Sequence, residues 1–358
     1  MTKQRIVWID WARFLAIIFV VFCHSIEVEY FDVRFGNADV GFGTWLFQNV
    51  VFTIGRVGVP FFLMITGTLM LGRQHCVKEH YVKTVLPLLL TTEIWIVLNF
   101  IFVNWSKGID IKLLIAQMLF LKSPEMSHMW YMPMILGFYL VIPYLAKIIK
   151  DSTIKQISVP LLVAIIAFFC IPTYNAFAGE VIEKLPSVST VIDISFLGGV
   201  YGVYMVLGFY IGQKKLLEKV PAWVLIMVVI LSFCANTVCA HNFLQNRLFH
   251  TDIFGWYDSP FVLASSVALF EMVRRICKHE VAFIGYVART SFGIYLLHNF
   301  FIYFVTYLES GLCNYIQMNI FFKFAIRFIF AFGLSLIACG FVNWIPGKRI
   351  KKTLLFIK

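Results

Sequence analysis

Charge is what this sequence has least of. Only 14% of its 358 residues are Asp, Glu, Lys or Arg, and 60% are hydrophobic. Soluble domains carry about 25% charged and about 45–50% apolar residues. A water-soluble globule of this make-up would expose broad apolar patches, which soluble monomers avoid. A soluble enzyme, a disordered chain and a disulfide-stapled secreted module are therefore excluded. The eight cysteines include no CxxC and no Cys/His metal spacing. Most fall inside apolar runs, where a thiol acts as a small hydrophobe, so neither a metal site nor a disulfide framework is expected. Phosphate-cradling Gly-rich loops, GxSxG elbows and HExxH zinc helices are all missing. Nor is there a cleavable signal peptide: the first apolar run is a full span, holds Arg13, and is followed by no small-residue cleavage site. Internal repeats and low-complexity segments are absent too.

What the chain does have is long apolar runs, with a mean hydropathy of +0.84. A span needs about 20 such residues. Ten candidates follow, at 7–29, 52–72, 81–103, 129–149, 157–174, 192–213, 221–240, 255–275, 283–308 and 322–345. The stretch around Thr44–Thr53 is either an interfacial lead-in helix or part of a long second span. Ile111–Leu121 is amphipathic and too short to cross, so it is expected at the surface or re-entrant.

The net charge of +11 would suggest nucleic acid in a soluble protein. Its distribution argues otherwise. With the amino terminus in the cytoplasm, nineteen of the thirty cations fall on inside segments, among them Arg73, Lys150, Lys215, Arg275 and Lys351. Seven, including Arg34 and Lys122, fall outside, and Arg13, Arg56, Arg289 and Arg327 lie within or beside spans. That alternation is the positive-inside pattern of a multi-pass membrane protein. The expected fold is all-α and polytopic: about ten transmembrane helices, both termini cytoplasmic, and residues 1–358 as one membrane domain without an appended extracytoplasmic one. The lipid bilayer is its solvent, nucleic acid is not a partner, and a homo-oligomer is open.

A charge at the bilayer centre costs about 2.5–3.5 kcal/mol on translocon scales, so each intramembrane ionisable residue raises a functional hypothesis. The first span carries Asp10, Arg13, His24 and Glu27. Arg13 and His24 are eleven residues apart, close to three full turns, so they project from one face about 16 Å apart along the axis. Asp10 lies three residues before Arg13 and Glu27 three after His24, putting a carboxylate on the same face as each. One stripe then holds a cation near the cytoplasmic end and an imidazole nearer the outer end. As a functional path, Arg13 is an anion site and His24 a proton-transfer group, a task suited to histidine because it titrates near neutrality. The bland alternative is that Arg13 snorkels while paired to Asp10 and His24 only holds a helix contact.

Arg56 opens the run Gly55-Arg56-Val57-Gly58-Val59-Pro60-Phe61-Phe62-Leu63-Met64-Ile65-Thr66-Gly67. Gly58 and Gly67 allow close helix approach and Pro60 bends or starts the span; Arg56 faces either the same path or the outer headgroups. His128-Met129-Trp130-Tyr131 begins the fourth span, where an aromatic belt alone accounts for Trp130 and Tyr131. Ser291, Tyr295, His298 and Ile302 form one stripe on the ninth span, either in the site or as interhelical glue. Glu93 sits mid-span, and Asp258 and Glu271 are further candidates.

Together these segments resemble acyltransferase family 3, integral-membrane enzymes that modify bacterial cell-surface carbohydrates. Ile9-Asp10-Trp11-Ala12-Arg13 through His24 is similar to the family's first-helix signature. Arg56 to Gly67 is similar to its second-helix segment, with Thr66 where Ser is usual. His128-Met129-Trp130-Tyr131, with Phe138-Tyr139-Leu140 and Pro143, resembles the branch that acetylates enterobacterial common antigen and O-acylates poly-N-acetylglucosamine. Ser291 to His298 resembles the family's late-helix motif.

The resemblance implies transfer of an acyl group, most simply acetyl, from cytoplasmic acyl-CoA to a hydroxyl of a surface glycan or its lipid-linked precursor in the bacterial inner membrane. Acetyl-CoA is then a donor substrate, with no permanently bound cofactor. It implies a catalytic role for His24 and donor binding at Arg13. Glu27 and His128 join the catalytic set, while Asp10, Arg56, Trp130, Tyr131, Glu93, Ser291, Tyr295 and His298 are the expected substrate-binding set. Two departures stand out. A catalytic Glu of another branch aligns near Ile135, so Glu27, His128 or Glu93 replaces it or His24 works alone. The paired-arginine loop has only Lys78 and Lys83 as stand-ins. A glycan exporter and a non-catalytic subunit of a glycan-synthesis complex are the rival readings; an exporter would be expected to show a repeat of broken helices.

Overall fold

The computed structural model describes residues 5–180, 186, 188, 198–246, 255–312 and 318–344. Among these every regular element is a helix and there is no strand. Lys3, residues 192–197 of the expected sixth span, Lys184, Arg247, Cys313 and the basic carboxy-terminal cluster fall outside them.

Two compact units emerge, one from residues 1–72 and 149–288, the other from 73–148 and 289–358. In the first unit, α1 (Val7–Arg34) is one unbroken helix, free of Gly and Pro. It ends where Gly36 takes φ +75°, a left-handed turn that suits glycine. Next come α2 (Phe42–Arg56) and α3 (Gly58–Met70), separated by a single turn residue, Val57. Proline has no N–H, so Pro60 cannot bond the carbonyl of Arg56 four residues back, and the helix breaks there. Together Phe42–Met70 is one long span, 78% of whose apolar 18-residue stretch is buried, against 44% for that of α1. The stretch around Thr44–Thr53 is thus part of a long second span.

The second unit begins with α4 (Val77–His80), which passes through a π turn into α5 (Leu86–Asn104). The short α6 (Ile111–Met118), capped by Asp110, follows and leaves Ile111 and Ile115 exposed, as its amphipathic sequence and length predict. A 3₁₀ turn, Ser127–Trp130, leads into α7 (Tyr131–Ile149). The chain re-enters the first unit with α8 (Ile154–Ile165), begun by a Thr153/Gln156 capping box, and α9 (Ile171–Glu180). Then come α10 (Gly199–Gly212), α11 (Ala222–Asn246) and α12 (Pro260–Ile276). Ser259 caps α12 and Pro260 opens it, which fixes the preceding Trp256-Tyr257 at its mouth. Finally α13 (Ala282–Leu312) and α14 (Ile320–Trp344) close the chain.

Among the described residues, eight helical stretches are long and apolar enough to cross a membrane. The other two expected spans coincide with α10 and α12, which are helical but shorter, at 14 and 17 residues. The chain is thus an all-helical, polytopic membrane protein.

In the first unit α1 packs on α2, α3 and α12, while α10 packs on α3. Small residues set these spacings. A Cβ on Gly58 would come 2.8 Å from the Ala16 carbonyl oxygen, and one on Gly55 2.6 Å from Cys23 Cβ. Gly67 lies against the Met205 backbone and Gly208 against that of Met64, with Thr68 donating to the Gly208 carbonyl at 2.7 Å. In a bilayer such close backbone approach replaces the hydrophobic drive that helices share in water. In the second unit α14 is tied to α13 by a buried ion pair, Arg327 Nη2 to Glu309 Oε2 at 2.7 Å. Phe300 of α13 meets Trp95 and Phe102 of α5.

Candidate active site

Since α1 is unbroken, the side-chain register expected from its sequence holds. Arg13 and His24 leave one side of the helix about 16 Å apart along it. At the amino-terminal end of α1 Asp10 is buried, and Arg5 is its closer partner; Arg13 Nη1 stands 3.7 Å from Asp10 Oδ1. Asp10 therefore serves two cations rather than Arg13 alone. The Arg13 side chain keeps 34% of its surface exposed.

At the other end His24 Nδ1 and Glu27 Oε2 are 2.6 Å apart, with side-chain exposures of 12% and 22%. A carboxylate only accepts, so Nδ1 carries the hydrogen and the lone pair of a neutral ring lies on Nε2. The bond orients the ring and defines which nitrogen takes a proton.

Arg56 lies inside the protein, not among outer headgroups: it is 3% exposed. Its guanidinium sits 4.3 Å from the Phe52 ring centroid, 4.5 Å from Trp256 and 5.5 Å from Tyr257. Nη1 donates to Tyr257 Oη at 3.3 Å, whereas Nε and Nη2 have no hydrogen-bond partner. Tyr204 holds this wall by donating to the Tyr257 carbonyl at 2.8 Å. The Glu27 carboxylate is near enough to act on the Arg56 charge. The Pro60 break thus leaves a caged cation at the level of His24, where aromatic faces compensate lost hydration.

The second unit holds another polar cluster. Tyr295 Oη donates to the His128 carbonyl at 2.6 Å, and Asn299 Nδ2 donates to His128 Nδ1 at 2.7 Å. His298 Nδ1 donates to the Tyr295 carbonyl at 2.6 Å, and its ring lies edge-on to His128 with centroids 5.1 Å apart. Tyr131 stacks edge-on to Tyr295, and Trp130 to Tyr131. His128 is therefore enclosed by protein. Ser291 lies one turn before Tyr295 on α13 and is also buried.

Glu93 stands on α5, its Oε2 buried without a hydrogen-bond partner. Glu271 is neutralised by its own helix: Arg274 grips it through two 2.8 Å bonds and Arg275 adds one of 2.5 Å. Lys83 is paired with Glu79 at 2.5 Å.

Residues 6–344 match the model of acyltransferase family 3, described as an acyltransferase domain. The chain belongs to acyltransferase family 3. Comparison with curated proteins and with solved structures gives no significant match. The match runs through both units, so a membrane acyltransferase is the activity class that the whole chain supports.

For this acyltransferase the sequence singles out His24, Glu27, Arg13 and Arg56 as candidates, leaves the surroundings of Arg56 open, and gives no sign of the aromatic cage. Trp256 and Tyr257 precede Asp258-Ser259-Pro260, a helix-start signal that would have fixed their position. Their proximity to Arg56, two hundred residues away in sequence, had no local signal. Asn299 was missed as well; it lies one residue past the Ser291–His298 motif.

Proposed function

We propose that this protein is an inner-membrane O-acyltransferase that moves an acetyl group from cytoplasmic acetyl-CoA to a hydroxyl of a surface glycan or its lipid-linked precursor. The hydrogen-bonded His24–Glu27 pair, on the same helix face as Arg13, carries this reading. With the amino terminus in the cytoplasm, Arg13 lies toward the donor's compartment and binds the CoA phosphates. His24 lies toward the acceptor's side.

His24 Nε2 takes the proton of the acceptor hydroxyl as its oxygen forms a bond to the thioester carbonyl carbon. The C–S bond then breaks, and the CoA sulfur leaves with the proton returned by His24. Glu27 holds the ring and stabilises the transient imidazolium. Glu27 also supplies the carboxylate that Ile135 cannot. The branch that acts on common antigen and poly-N-acetylglucosamine is the proposed kinship. In this reading His128, Tyr295 and His298 anchor α13 to the turn before α7.

The test is transfer of label from [acetyl-¹⁴C]CoA to polysaccharide in membranes containing the protein. The proposal expects label in the polysaccharide that depends on the protein. An exporter or a non-catalytic subunit would give none.

A further inference from the structure

The orphaned polar atoms of the first unit are not scattered. Several lie along one face of α2 and the facing side of α11. At one end Trp45 and Phe42 flank the His241 ring at 5.0 and 5.5 Å, and His241 Nδ1 is buried without a partner. One turn on, Asn49 Nδ2 donates to Thr237 Oγ1 at 3.2 Å beside Gln48, whose Oε1 has no partner. A further turn on, Asn236 Nδ2 donates to Thr53 Oγ1 at 2.9 Å, leaving Asn236 Oδ1 unpaired. The series ends at Arg56, Nε and Nη2 unpaired, and the preceding Gly55 packs on Cys23, one residue before His24. Gln48, Asn236 and Arg56 are each at most 3% exposed.

Within a bilayer every such orphan costs free energy that lipid cannot return. Two carbonyl-type acceptors and two guanidinium donors on one seam call for a ligand that both donates and accepts. An anion only accepts and would oppose Gln48 Oε1 and Asn236 Oδ1. Sugar hydroxyls do both. At the His241 end the exposed Phe42 ring suits the apolar face of a pyranose, and the seam runs toward His24.

We infer that the α2–α11 seam, from Trp45 to Arg56, is the binding path of a neutral carbohydrate, which enters at the His241 end and presents a hydroxyl beside His24. This rests on the proposed function for the identity of the reaction, and on the same orientation for the mouth facing outward.

The experiment uses the full chain in membranes. Gln48→Cys and Val238→Cys are each treated from outside with a membrane-impermeant methanethiosulfonate, and labelling is counted above that of the parent. Val238 is exposed on the apolar surface of α11 and serves as a lipid-facing control. Tetrasaccharides of glucose, galactose, mannose and N-acetylglucosamine are then added in turn. The inference expects Gln48→Cys to label at least about tenfold faster than Val238→Cys, and at least one tetrasaccharide to slow it severalfold. Equal labelling would show a dry helix contact, and fast labelling that no tetrasaccharide slows would show a water path without a sugar site; either overturns the inference. Acetyl transfer is measured on membranes containing the parent protein. Protection without transfer keeps the sugar site and removes the acyltransferase reading; transfer without protection does the reverse.

Discussion

Two histidine sites, one in each unit, show how differently a membrane protein uses the same side chain. His24 bonds a carboxylate on its own helix and keeps 12% of its side chain exposed. His128 and His298 are enclosed, and their Nδ1 atoms meet an amide and a backbone carbonyl. A carboxylate partner stabilises a ring that gains a proton, whereas neutral partners stabilise a ring that keeps its tautomer. The first arrangement suits proton transfer and the second suits cross-linking helices. Buried polarity alone would not have separated them; the chemistry of the partner does.

That contrast can be broken by substitution. The largest effect belongs to His24→Ala, which should lower acetyl transfer by about 10²–10⁴-fold while melting like the parent in detergent. A similar loss in His298→Ala at equal melting temperature would erase the distinction. Next is Arg327→Met, which strands Glu309 in a buried site and should destabilise the second unit by about 3–5 kcal/mol, read as a lower denaturation midpoint. Glu27→Gln keeps the shape of the His24 site but weakens its hold on the protonated ring; transfer should fall by about tenfold or more, mainly in kcat. Arg13→Ala should raise the KM for acetyl-CoA by about tenfold and leave the acceptor KM unchanged, as expected for one charge-assisted contact of about 1.5–3 kcal/mol. Smallest is Asn299→Leu, which should cost about 1–3 kcal/mol of thermal stability with little change in activity per folded molecule.

Sequence and structure agree best where a feature is written within one helix. The Arg13–His24 face follows from counting turns along an unbroken segment, and the Pro60 break follows from a missing N–H. Over their described residues the ten apolar runs fall on helical segments, though α10 and α12 are too short to count as spans by length. Contacts between distant segments were invisible. Nothing near Arg56 names Trp256 or Tyr257, and nothing near Asn49 names Thr237. Asp10 looked like the partner of Arg13 because the spacing was right, yet Arg5, arriving from before the helix, stands closer. Periodicity reports which face a residue occupies; it does not report which neighbour reaches that face first.

The central claim is that donor and base share one side of α1. A cryo-electron microscopy map of the protein with acetyl-CoA bound tests it most directly. The account predicts CoA phosphates at Arg13 and the thioester carbonyl carbon within about 4 Å of the space between His24 Nε2 and an acceptor oxygen. A thioester lodged away from His24, or phosphates held by cations other than Arg13, would contradict it.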